Sequence, residues 1–251
     1  MTKVFLRGLI LLLLLCGLSS CVYLRLLEVK NQLARFEENF KVDVTDHFLL
    51  QFLHPVLLSD DFLALAKLQP TRVETLPSGT RWYQAFHKID AAGRLQPGVD
   101  IVFALTFDKD SKLVSWDFSP VFMAMVPAQF FEASLRSLGK GKVDEGKKKL
   151  RVDPADLPRL SVKPPTREKI IGIMGPPLEQ SAKGKLSVYV YHFQVETPHL
   201  DKDYEDRRVA VIKLYFNPAT DELVKMGGKF VGLKIAIDLL KLGESGQVAQ
   251  R

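Results

Sequence analysis

Cysteine is nearly missing from this chain of 251 residues: there are two, Cys16 and Cys21, and both stand in its first 21 positions. If Cys21 becomes a modified N-terminus, the mature body has no thiol. That excludes an internal disulfide, a thiolate metal site and a cysteine nucleophile. Histidine is scarce too. His47, His54, His87, His192 and His199 show no paired metal spacing such as H-E-x-x-H. His192 sits in an aromatic run and reads as a core or surface residue rather than a ligand. No G-x-S-x-G elbow is present. The formal charge, 35 − 29 = +6, includes Lys3 and Arg7 of the leader, and the remaining +4 is too mild to argue for nucleic-acid binding. With 47% hydrophobic and 25% charged residues, 16 Gly and 14 Pro, the chain is neither disordered, collagenous nor a multi-span membrane protein. Its length fits one or two domains.

Two partial motifs fail on chemistry. Gly141-Lys142-Val143-Asp144-Glu145-Gly146-Lys147-Lys148 approaches a phosphate loop, but Lys148 has no hydroxyl for magnesium and the segment follows a predicted helix instead of a strand. The adjacent Lys147, Lys148, Lys149 and Arg151 offer contacts to anionic lipid heads or simply a solvated linker. Asp201, Asp203, Glu205 and Asp206 cluster in one loop, yet Asp206 and Ile212 occupy the positions where an EF-hand needs Gly and Glu.

What the sequence does contain begins at its N-terminus. Lys3 and Arg7 precede an apolar run from Gly8 to Leu15, and Leu18-Ser19-Ser20 leads to Cys21. A charged start, an apolar centre and small residues make a secretory signal over 1–20. Leu18-Ser19-Ser20-Cys21 resembles the bacterial lipobox, which makes Cys21 the lipidated residue. The competing reading is an uncleaved anchor, because Gly8 to Leu24 is 17 uncharged residues, the lower limit for a membrane span. Val22 after the cysteine, with no Asp there, favours the inner leaflet of the outer membrane by resemblance to Gram-negative sorting. An inner-membrane signal anchor is the alternative, and both place the body outside the cytoplasm. Residues 21–36 read as an amphipathic tether helix, with Leu26, Val29, Leu33 and Phe36 on one side, lifting the body off the membrane.

The body carries an internal repeat. Ser59 with Asp60 and Asp61 opens a helix as an N-cap followed by acids, and Thr166-Arg167-Glu168 does so 107 positions later. Pro70 and Pro177 follow at the same offset. Aromatic strands come next, Trp82 to Phe86 and Tyr189 to Phe193, then Val99 to Asp108 and Arg208 to Asn217, then strands starting at Leu113 and Leu223. Phe48 to Leu53 is a further strand before His54-Pro55. Each copy ends in a predicted helix, Val121 to Leu138 and Val231 to Leu242, with Gly139 and Gly243 as C-caps. Pro127 breaks or kinks the first of these. The expected architecture is α+β: two tandem units, each a helix plus a three-stranded antiparallel meander, with added terminal helices, after an N-terminal signal segment. The expected divisions are 37–139, a basic linker at 140–156, 157–243, and a disordered tail at 244–251.

Thr166-Arg167-Glu168-Lys169-Ile170-Ile171-Gly172-Ile173-Met174-Gly175-Pro176-Pro177, the aromatic Tyr189-Val190-Tyr191-His192-Phe193 and the hairpin Lys213-Leu214-Tyr215-Phe216-Asn217 through Leu223 resemble the SmpA/OmlA (BamE) family of outer-membrane lipoproteins. That family shares the fold of β-lactamase inhibitor protein. In the first copy, Gln69-Pro70 replaces the family's Gly-x-Pro turn. The resemblance implies a non-enzymatic periplasmic module without cofactors, which binds a protein partner or serves envelope assembly. A lipid or hydrophobic-ligand carrier and an inhibitor of a periplasmic enzyme are the alternatives.

Two surfaces are candidates for the partner. One is a groove lined by Phe122, Met125 and Phe130 of the first terminal helix and Ile235 and Leu239 of the second, which would also line a carrier's cavity. The other is the sheet face carrying Trp82, Tyr83, Tyr189 and Tyr191. Alternation separates Trp82 from Tyr83, and one of these two faces must be core.

Overall fold

A computed structural model describes residues 22–144, 149–152, 160–231 and 233–242. The leader with Cys21, part of the basic linker and the C-terminal tail lie outside these residues. Helix α1 runs over residues 22–34 and is followed by the short α2, Phe36–Asn39. Among the described residues no helix is long and apolar enough to cross a membrane.

The expected pair of helix-plus-meander units is not what the chain builds. Its body is one curled half-barrel sheet of eleven strands. These are β1 (Phe40–Val44), β2 (Phe48–Phe52), β3 (Arg72–Leu76), β4 (Gly79–Ile89), β5 (Leu95–Asp108), β6 (Leu113–Phe118), β9 (Glu179–Lys183), β10 (Leu186–Val195), β11 (Val209–Phe216), β12 (Leu223–Phe230) and β13 (Leu233–Asp238). A separate hairpin, β7 (Lys142–Asp144) with β8 (Lys149–Arg151), lies within the basic segment. The main sheet runs β1-β2-β6-β5-β4-β10-β11-β12-β13, with β3 beside β4 and β9 beside β10.

Two physical causes explain the difference. First, β4 and β10 pair with each other, antiparallel over Phe86 to Ile89 and His192 to Val195, so the two meanders become one sheet. A periodic pattern does not show which strand edge meets which. Second, the expected helix at Val231 to Leu242 is strand β13 and one short helical turn, α7 (Leu239–Leu242). Leu233, Ile235 and Ile237 alternate with Lys234, Ala236 and Asp238, which is the period of a strand. Ile237 is buried while Lys234 and Ala236 are exposed, as alternation requires.

The first terminal helix divides as Pro127 dictates: α4 is Pro120–Met125 and α5 is Ala128–Lys140, with Pro127 at the N-cap of α5. The equivalent opening helices are α3 (Ser59–Ala66) and α6 (Arg167–Met174). Thr166 caps α6 as expected, its hydroxyl accepting from the Lys169 amide. In α3 the cap is Leu58 instead, and the Asp61 carboxylate accepts from the Leu58 amide at 2.9 Å.

The helices pack on one face of the sheet. Phe131 of α5 meets Phe48 and Phe118, Phe122 of α4 meets Phe103, and Phe62 of α3 meets Phe107 and Trp116. Phe230 of β12 touches both Phe86 and Phe103, so this aromatic core is continuous across the junction of the halves. Each edge-to-face pair adds about 0.5–1.5 kcal/mol beyond the area it buries.

Candidate functional site

Alternation along the strands settles the two faces. Trp82, Phe86, Phe103, Tyr189, Tyr191 and Phe193 point to the helices. Tyr83, Ala85, His87 and Ile89 of β4 point the other way. Strand register extends this open face: Tyr83 is opposite Ala104, which is opposite Asp117, and Asp117 is opposite Leu49. On the other half Val190 is opposite Lys213, which is opposite Gly227, and Gly227 is opposite Ala236. Ala85, Ile89, Ala104, Val188 and Val190 are buried yet lie outside the main core cluster. They are apolar positions of this face.

The candidate groove on the helix side is filled. Phe122, Met125, Phe130 and Leu239 are all 0–1% exposed, and Ile235 packs half-buried against the same cluster. Tyr189 and Tyr191 are also core. Burial, with Tyr189 nearby, pushes the Tyr191 phenol well above its usual range, and its hydroxyl donates to the Gly175 carbonyl. Trp82 lies half-buried against Phe107. Of the named aromatic strand residues, Tyr83 alone faces the open side. Its ring lies under the Arg72 guanidinium at 3.8 Å, with Arg81 at 5.5 Å, and its hydroxyl donates to Glu74.

The face is electrically divided. The first half carries Arg81 bound to Asp117 at 3.2 Å, with His47 against the same carboxylate. The second half presents Lys213, Lys225 and Lys234, all exposed around Gly227 and Ala236. Among the described residues none of the three has a carboxylate within ion-pair distance, whereas the neighbouring Lys229 is bound to Asp206 at 2.6 Å.

At the junction of the halves sits a cluster that the sequence pattern did not single out. His87 Nδ1 is 2.9 Å from Asp100 and its Nε2 is 3.0 Å from Glu196. Ionised carboxylates only accept, so both ring nitrogens donate and the ring is an imidazolium. Partial burial pushes His87 down, but the bonds and charges of Asp100 and Glu196 outweigh it and hold its pKa above the ordinary 6.5. The next residue, Lys88, points to the opposite face and is only 6% exposed. Its ammonium donates to the Met174 and Pro176 carbonyls at 2.6 and 2.7 Å, at the C-terminal end of α6. Burial lowers its pKa. Consecutive residues of β4 therefore clasp the second half from both sides of the sheet. Thr71 and Gln84 add bonds to the Glu196 carbonyl. His87 was visible as a histidine, but its two carboxylates stand 13 and 109 residues away.

The chain matches no known family model, no curated protein and no solved structure.

The acidic loop is a 3-10 turn, Lys202–Arg207, and three of its four carboxylates are engaged: Glu205 with Arg208, Asp206 with Lys229, and Asp201 with His199. Among the described residues no group of three His, Cys, Asp or Glu side chains has metal-binding geometry. Among the described residues the His87 ring is bonded to two carboxylates, Asp100 and Glu196, which tie it across the junction as a clasp.

Proposed function

We propose that this chain is a non-enzymatic lipoprotein of the cell envelope, tethered through Cys21, whose open sheet face binds a protein partner with an acidic surface. One observation carries the choice of face: the apolar residues of the helix side are consumed in the chain's own core, and among the described residues the sheet's other side is left uncovered. A hydrophobic-ligand carrier needs a cavity among Met125, Phe130, Ile235 and Leu239, where the side chains pack against one another. Tyr215, opposite Val188 on the open face, offers a large, stiff contact, and Lys213, Lys225 and Lys234 offer positive charge without an ion-pair partner among the described residues. The lipobox and the resemblance of 166–177 to SmpA/OmlA lipoproteins support the envelope part of this reading.

The test is a crosslinking pull-down of the full-length protein from envelope membranes, beside Cys21→Ala and a Lys213→Glu/Lys225→Glu variant. The proposal expects an envelope protein to be enriched and then lost on charge reversal, with Cys21→Ala released from the membrane fraction. Adducts unchanged by charge reversal, or recovery of lipid alone, would overturn it.

A further inference from the structure

Helix α1 does not stand away from the body as a spacer. Leu33 belongs to the main core, and the Gln32 side chain donates to the His54 carbonyl. The end of α5 crosses so closely that a Cβ on Gly139 would lie 2.2 Å from the Ala34 amide nitrogen. The docking begins within the first turn: Arg25 forms a two-pronged pair with Asp61 of α3, at 2.7 and 2.5 Å, and Asp61 is 1% exposed. Arg25 stands four residues after Cys21, at most about 14 Å of fully extended chain. A chain anchored at Cys21, or by the run from Gly8 to Leu24, therefore has little slack between its anchor and its body.

The outer surface of that first stretch is apolar. Tyr23, Leu24 and Leu26 are 45%, 60% and 39% exposed, three of the large hydrophobic side chains that the body leaves in water. Arg25 is the one charge between residues 22 and 27, and it is turned inward onto Asp61. The uncharged run that begins at Gly8 thus continues along the outside of α1 to Leu27, and polar residues resume at Glu28. On α3, Leu65 lies one turn beyond Asp61 on the same side and is 49% exposed. Lys67 follows it, and Arg207 donates to the Leu65 and Ala66 carbonyls.

We infer that Tyr23, Leu24, Leu26 and Leu65 form a membrane-resting surface, which holds the α3 side of the body against the lipid interface. The occupant is the interface of a phospholipid bilayer. Exposed Tyr and Leu match the boundary between acyl chains and headgroups, where amphipathic rings and apolar side chains each find their medium. The inference rests on the envelope-tether reading but goes beyond it, fixing which side of the body the membrane covers. It holds equally for a lipid-modified Cys21 and for an uncleaved anchor.

The test is site-specific photo-crosslinking with benzoylphenylalanine in the full chain, reconstituted into vesicles of phosphatidylethanolamine and phosphatidylglycerol. Probes stand at Leu24, at Leu65 and at Lys183. The last lies on the exposed strand β9, about 20 Å along β10 from the start of the junction of the halves. Phospholipid adducts at Leu24 and Leu65, and none at Lys183, are the expected result. Adducts at Leu24 alone would retain the tether and overturn the resting surface. Protein adducts at Leu65 would overturn it in favour of a partner or a second copy. Loss of the chain from the vesicles, with no adduct at Leu24, would overturn the tether together with the surface that rests on it.

Discussion

Replacing Asp61 with Ala removes a carboxylate that serves three donors, two on Arg25 and the backbone amide of Leu58. Deleting one partner of a buried ion pair typically costs about 3–5 kcal/mol, because the other charge is left uncompensated. Arg25 retains 27% exposure and can turn toward water, so the lower end applies to the pair. The orphaned Leu58 amide adds about 1–3 kcal/mol. We expect a total near 4–6 kcal/mol for Asp61→Ala, and less for Asp61→Asn, whose amide oxygen still accepts from Leu58. Arg25→Ala leaves Asp61 buried but free to take up a proton, so the double variant should show strong non-additivity. Burial alone would push the Asp61 carboxyl up, and the bonds from Arg25 and Leu58 more than reverse this, so it titrates below 3.8. Its stabilisation is therefore complete above pH 3.8 and disappears as the pH falls through the lower, folded value. Guanidinium denaturation followed by circular dichroism, with hydrogen exchange of the α1 amides, measures both effects. A destabilisation below about 0.5 kcal/mol, or strict additivity with Arg25→Ala, would refute the docking of α1 through this pair.

His87 gives the opposite pH dependence. Its folded pKa is raised, so the clasp contributes fully below about pH 6.5 and is lost as the pH rises through the folded value; His87→Gln should flatten that dependence in denaturation curves. Lys88→Ala strands two carbonyls at the end of α6 and opens space in the core, which should cost about 2–4 kcal/mol. Lys88→Met should cost less, because its apolar stem refills that space without a buried charge. Gly139→Val places a side chain inside the Ala34 backbone, so it should separate α1 from α5 and expose the α1 amides to exchange while the sheet amides stay protected.

Local elements were legible wherever a single period was clear. The starts of β6 and β12 at Leu113 and Leu223, the cap at Thr166 and the break at Pro127 all follow from side-chain alternation, a hydroxyl placed three residues before an amide, and a missing N–H. Strand β13 was misread because Leu239, Leu240 and Leu242 extend its apolar residues past the end of the strand. A helical stripe can then be drawn through Lys234, Asp238 and Lys241, and it competes with the alternation before it. The joining of the halves was not legible, since β4 and β10 are equally plausible edge strands and nothing local says that each is the other's partner. The same limit hid the His87 clasp and the Arg25–Asp61 pair, whose members are brought together by the fold across 109 and 36 residues. Phe122, Met125 and Phe130 look like a partner groove in a sequence, because what buries them is distant in the chain: the rings that meet Phe122, those of Phe103, Phe118 and Phe230, come from three separate strands.

The most direct measurement of the central claim is photo-crosslinking in intact envelopes with the probe at Lys213, on the open sheet face, compared with a probe at Leu240 on the helix side. If the open face is the binding surface, Lys213 yields a discrete protein adduct that is lost when Lys225 is changed to Glu, and Leu240 yields none. A discrete adduct at Leu240 with none at Lys213 would contradict the account and return the binding surface to the helix side.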